Sequence, residues 1–347
     1  MAIIDKPTDY FNTVLWTGNG NSGLAITGVD FKPDLTWIKE RNQTRGHVLF
    51  DVVRGATYQF NPNSNATNVA VAESLKSFDT DGFTVGNATS VNENTKLYVG
   101  WNWLAGGSGS SNTSGSINST VSVNATSGCS VVSYSANNTA GATVGHGLGV
   151  VPKMILVKES TGSVNDWTVY HVTQGNTTRG ILNETNTWGS NAAWNNTTPT
   201  SSVFTIGSGS VVNRSGSTYM AYCFADVENF SKMGSYKGNG NASGTFVYTG
   251  FKPAFVIYKR SSGTGDWVMV TNSILGFNQV NTQILANTSS AETTNTAQSC
   301  DILSNGFKLR GTQNNSNASG STYIYMAFAE NPFVTSTGNG SIPATAR

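Results

Sequence analysis

Three histidines, three cysteines and a handful of aspartates are the residues of this chain that could do chemistry. His47, His146 and His171 are the only histidines. Serine nucleophile chemistry needs a Ser on a sharp strand-to-helix elbow beside a His and an acid. The one Gly-Ser-Gly near such a pattern, Gly107-Ser108-Gly109, sits in a stretch that reads as linker. Glycan hydrolysis needs two carboxylates across one cleft. Asp51, Asp166 and Asp266 fall one per repeat beside a Trp- or Phe-centred strand, and repetition of that kind points to turns and strand ends. Calcium would need a longer run of oxygen ligands than Asp79-Thr80-Asp81-Gly82 supplies. Cys129, Cys223 and Cys300 are far apart and odd in number, so they read as small buried hydrophobes and not as a disulfide or metal set. Gly18-Asn19-Gly20 and Gly238-Asn239-Gly240 lack the Lys-Ser/Thr and the helix of a phosphate loop, and read as turns. The expectation is a non-enzyme with no cofactor and no metal.

Aromatics give a better lead. Trp37, Trp101, Trp103, Trp167 and Trp267 lie in strand-like runs that recur and read as core. Trp188 and Trp194 lie instead in a polar loop among Asn and Thr. Exposed aromatic faces flanked by amides suit stacking on sugar rings, so these two are the candidate glycan or receptor contacts.

The elements that must position these residues come three times. An aromatic-x-Gly-Asn-Gly-like opener precedes a Pro-led apolar strand ending in Lys, then a Trp- or Phe-centred strand, a long polar loop and a Tyr-bearing strand. The Pro-to-Lys step is six residues at Pro33–Lys39, Pro152–Lys158 and Pro253–Lys259. The Pro-to-Tyr step, ending at Tyr98, Tyr219 and Tyr323, is 65, 67 and 70. Such periodicity marks a repeated structural unit. Runs such as Met154-Ile155-Leu156-Val157, flanked by Pro and Gly, fit strands covered on both faces. The spacing predicts an all-β chain of three tandem antiparallel β-sandwich, jelly-roll-like modules. The expected boundaries are an N-terminal arm at 1–15, repeats at 16–105, 129–228 and 229–333, a Gly/Ser/Asn-rich linker at 106–128 and a tail at 334–347. The polar loops, about 61–76, 183–200 and 286–299, differ while the strands around them match, and variable loops on a fixed scaffold are where recognition usually sits.

Composition narrows the partners. Charged residues are 11% of the 347, against roughly 25% in ordinary globular chains, and Gly, Ser, Thr and Asn take their places. A net charge of +1 gives no pull toward nucleic acid or anionic membrane. Met1 to Phe11 contains no long apolar run, so neither a signal peptide nor a membrane span is expected.

Phe31-Lys32-Pro33-Asp34-Leu35-Thr36-Trp37-Ile38-Lys39, Asp81-Gly82-Phe83-Thr84-Val85-Gly86 and Tyr98-Val99-Gly100-Trp101-Asn102-Trp103 together resemble a repeated domain of unknown function found in virion proteins of marine tailed phages, cyanophages among them. Gly238-Asn239-Gly240, the segment from Tyr248 to Pro253 and that from Tyr323 to Pro332 match the same pattern. The resemblance runs from about Trp16 to Phe333 and carries no family catalytic residues. It implies a phage virion structural protein, assembled in the host cytoplasm, most simply a tail fibre or receptor-binding appendage. The expected partners are other virion proteins, further copies of itself (a trimer, by analogy with fibres) and a host surface glycan or protein. Docking to the particle is expected through Asp5, Lys6, Asp9, Tyr10 and Phe11 of the arm. A capsid decoration or head-fibre protein is the alternative, and a surface-glycan depolymerase a more distant one.

Overall fold

The computed structural model describes residues 3–333; the expected tail at 334–347 lies outside the described residues. Strand accounts for 43% of the chain and helix for 6%; among the described residues the named strands pair antiparallel and no sheet closes into a barrel, so the fold is an all-β sandwich.

Three large sheets share one strand order. The first runs Phe11–Thr17, Leu97–Trp103, Leu35–Glu40, Val48–Asp51. The second has Cys129–Ser135, Thr218–Phe224, Met154–Glu159 and Thr168–His171 at its centre, with two further strands on each side. The third runs Ser231–Lys237, Thr322–Pro332, Phe251–Arg260, Trp267–Thr271 and continues through two short strands. Each Pro-to-Lys segment is thus an interior strand, and every residue of Leu35–Glu40 and of Met154–Glu159 is buried. A strand covered on both faces has no solvent side on which to place polar residues, which is why these runs do not alternate.

The two coverings differ. The outer face of each large sheet packs under a small one, such as Leu24–Ile26 with Gly82–Val85 and Leu75–Asp79 in the first. The inner faces of all three pack on one another in a single central core. Along the Tyr-bearing strands the side chains alternate between the two. Val99, Trp101 and Trp103 point inward with Met220, Tyr222 and Phe224 and with Ile324, Met326 and Phe328; Tyr98, Tyr219 and Tyr323 point outward. Trp103, Phe224 and Phe328 occupy the same position in their sheets and close a triangle of rings, with centroids 6.1, 5.6 and 5.8 Å apart. Each fully buried ring contributes about 1.5–3 kcal/mol of transfer free energy, here counted toward three sheets at once.

The Gly-Asn-Gly openers have a local cause. A buried asparagine in a short helical turn, Asn92, Asn213 or Asn317, accepts the opener's amide at Asn19, Asn137 or Asn239 at 2.8, 2.9 and 3.0 Å. Its Nδ2 donates to the carbonyl of Gly86, Gly207 or Gly311. The aromatic before each opener stacks on the outward Tyr: Trp16 on Tyr98, Tyr134 on Tyr219 and Tyr236 on Tyr323, at 5.3, 5.5 and 5.0 Å. One buried amide therefore ties three turns together, and the opener sequence is what lets the backbone reach it.

Two expected boundaries need correction. The 106–128 segment is not a free linker: Ser110–Asn112 and Ser119–Asn124 add two strands to the edge of the second sheet. Buried Asp34 accepts the Ala105 and Gly107 amides at its start. Nor is the expected N-terminal arm separate from the first repeat where it is described, because Phe11–Thr17 pairs along its whole length with Leu97–Trp103.

Candidate functional site

The long polar loops are clasps between sheets. The loop after the Val48–Asp51 strand lies on the second sheet: Trp167 Nε1 donates to the Asn61 carbonyl at 3.2 Å, Lys158 Nζ to the Asn65 carbonyl at 2.8 Å, and Ser160 Oγ to Asn68 at 2.8 Å. The second sheet's loop lies on the third: Trp267 Nε1 donates to the Ile181 carbonyl at 2.8 Å and Lys259 Nζ to the Thr185 carbonyl at 3.2 Å. The third sheet's loop returns to the first: His47 Nε2 meets the Leu285 carbonyl at 3.0 Å, and Arg41 forks onto Glu292 at 2.7 and 3.1 Å. The contacts run head to tail around the central axis and close.

This ring consumes most of the groups that chemistry would need. His47 accepts from Trp37 Nε1 at 2.9 Å and donates across the seam; burial pushes it down to about 3, so it stays neutral. His171 meets the Tyr325 carbonyl at 3.2 Å and is pushed down to about 4 by burial. His146 meets the Thr200 carbonyl and is lowered for the same reason. Lys39, Lys158 and Lys259, the last residues of the Pro-to-Lys step, are buried, and desolvation lowers each to about 8. Asp51 accepts from Tyr222 at 2.7 Å and from Arg54 at 2.6 Å, and Arg54 lies over the Phe60 ring. A buried charge is tolerable only with such partners.

The strand register corrects the expected equivalence of Asp51, Asp166 and Asp266. Leu35 pairs with Asp51, Met154 with His171 and Phe255 with Thr271, so Asp51 corresponds to His171 and Thr271. His47 takes the place of Trp167 and Trp267, the donor across the seam. Asp166 and Asp266 bind the amides of Asn183 and Asn287 within their own modules. All three cysteines are buried and free. Among the described residues no group of three His, Cys, Asp or Glu side chains could hold a metal.

The candidate sugar contacts also need correction. Trp194 is fully buried and packs edge-on against Tyr170 at 5.5 Å under the second sheet's outer layer. Trp188 is half-buried: its ring lies over Gly180, where a Cβ would come within 2.4 Å, and against Trp267 at 6.0 Å. Trp194 presents no free face, and Trp188 is partly covered. Of the expected docking residues, Phe11 is 1% exposed and stacks on Phe328 at 5.0 Å, and Tyr10 packs on Phe230 at 5.9 Å. Asp5, Lys6 and Asp9 remain toward the surface, the last two as an ion pair.

What the sheets do present is a body with two unlike ends. Strand pairing sets Leu35 beside Trp103 and Glu40 beside Tyr98, so the hairpins after Glu40, Glu159 and Arg260 all lie at the end away from the Trp103–Phe224–Phe328 triangle. Their tips are exposed and mostly uncharged, including Asn42, Thr161, Val164 and Thr264. At the other end lie Ile4, which donates to the Glu228 carbonyl, and the segment through Phe333. No local signal marks these tips, because nothing in the neighbouring residues distinguishes a clasping loop from a presented one.

Comparison with known families matches residues 6–332 to one described as "Domain of unknown function (DUF7483)". No curated protein matches the chain, and no solved structure matches it.

Proposed function

We propose, from the premise that the chain belongs to the DUF7483 family, that it is a structural protein of a phage particle whose work is contact and not catalysis, most simply a tail fibre or receptor-binding appendage. The observation that carries this reading is the two-ended body. Residues 4–11 and 329–333 gather at one end, the natural side for attachment to other virion proteins, with Asp5, Lys6 and Asp9 as the polar groups there. Three Asn/Ser/Thr-rich hairpin tips face away at the other. Three similar weak contacts on one rigid body raise avidity without a strong single site. The consumption of His47, His171, Lys158, Lys259 and Asp51 in the seams supports the non-enzymatic part.

On this reading the tips face a host surface glycan or protein, and further copies of the chain join it in the appendage. Immunogold labelling of purified particles, with an antibody raised against the folded chain, tests the placement. Gold at the tail tip is the expected result. Gold over the head overturns the adhesion reading and leaves a decoration or head-fibre protein. Replacing Thr161, Val164 and Thr264 together by Lys is expected to reduce host adsorption while leaving incorporation into particles intact.

A further inference from the structure

A constellation outside the seams is made of Lys252, Asn272 and Glu330. Lys252 is 3% exposed, and its Nζ meets Glu330 Oε2 at 2.9 Å. The Asn272 side-chain amide donates to that same oxygen. Lys252 is on Phe251–Arg260, Asn272 opens the turn after the neighbouring Trp267–Thr271, and Glu330 is on Thr322–Pro332 on the other side. The ladder explains the meeting. Lys252 pairs with Asn331 and Pro253 with Ala329, so Glu330 is skipped in an irregular step, and such bulges re-aim side chains.

The module does not need this trio. The corresponding positions are Lys32, Val52 and Ala105 in the first sheet and Val151, Val172 and Asp226 in the second, by the pairings of Leu35, Met154 and Phe255. Two copies of the fold are built without it.

We propose that Lys252 and Asn272 form an intramolecular isopeptide bond with Glu330 as the proton carrier. The Lys252 ammonium passes a proton to Glu330. The freed Nζ lone pair attacks Asn272 Cγ, and a new C–N bond forms. Glu330 then delivers its proton to Nδ2 and takes a second from Nζ; the Cγ–Nδ2 bond breaks, and Nδ2 leaves with both protons as ammonium. Nζ keeps one proton as an ordinary amide, the Glu330 carboxylate is restored, and no electrons change hands. Holding amine and amide on one carboxylate makes the step unimolecular, the source of large effective concentrations. An open cavity of about 300 Å³ lined by Asn272 and Glu330 gives the ammonia a way out.

The test is the intact mass of the purified full chain, followed by a tryptic map. The expected result is a protein lighter than its sequence by one ammonia, with peptides 238–259 and 261–308 recovered as one branched species. K252R, N272A and E330Q should each restore the full mass, and E330Q should do so with a circular dichroism spectrum unchanged from the parent. A parent protein of full mass, still unlinked after prolonged warming below its unfolding temperature, overturns the proposal. So does an ammonia loss that maps to Asn239 or Asn305, whose following glycines favour a succinimide. Branching that persists in E330Q overturns the role given to the carboxylate.

Discussion

Phe328→Ala is the sharpest probe of the shared core. Phe328 is 1% exposed, and its ring meets four others, Phe11, Trp103, Phe224 and Phe230, at 5.0, 5.6, 5.8 and 5.6 Å. Phe-to-Ala truncations in cores cost about 3–5 kcal/mol. With ring partners from two other sheets the site cannot collapse by moving one element, so the upper part of that range, about 4–5 kcal/mol, is expected. The assay is urea unfolding, with native-state hydrogen exchange read separately over 97–103, 218–224 and 322–332. Because each central strand contributes to the triangle, all three should lose protection together. Phe307→Ala is the control: Phe307 is equally buried but packs only in the third sheet's outer layer, so its loosening should begin there. If F328A costs under about 1 kcal/mol, or exposes only 322–332 to exchange, the three sheets do not act as one core and the reasoning fails.

Acid should weaken the seams. The unfolded state takes up protons on His47 and His171 near their ordinary value of about 6.5, whereas the folded state resists down to about 3 and about 4. Stability therefore falls as pH drops below 6.5, at up to about 1.4 kcal/mol per pH unit per histidine. Urea midpoints at pH 7 and pH 4.5 measure the fall, which should be smaller in H47W, the residue found at the equivalent positions; an unchanged midpoint refutes it. Trp267→Phe strands the Ile181 carbonyl and should cost about 1–3 kcal/mol by the same assay, and a cost near zero removes the seam bond from the account. Limited proteolysis should spare 106–128, and a first cut between 106 and 115 would mean that its two strands are not held.

The strands were legible because their causes are local. Proline starts, Gly-Asn turns and aromatic runs of fixed spacing announce an all-β chain. The Asn92, Asn213 and Asn317 anchors were missed although they recur, because a single amide in a turn carries no pattern. Ser119-Thr120-Val121-Ser122-Val123 does alternate, but surrounding glycine and serine hid the period inside an apparent linker. Trp188 and Trp194 misled for a different reason. A polar loop reads as exposed when its neighbours are only those in sequence, whereas these residues are covered by Trp267 and Tyr170 from other strands. Two of the buried lysines ending the Pro-to-Lys runs were a usable signal: an ammonium at the end of an apolar strand needs acceptors, and for Lys158 and Lys259 the Asn65 and Thr185 carbonyls of the preceding sheet's loop supply one each.

The head-to-tail seams have a consequence for association. Each sheet offers one clasp and receives one, so three units satisfy every offer and the ring stops growing. Remove one unit, and the remaining pair carries an unused clasp at one side and an uncovered receiving surface at the other. Such a fragment is complementary to its own copies but not closed, the arrangement that produces open chains of molecules in place of a finished particle. The third repeat is therefore also what keeps the first two from polymerising.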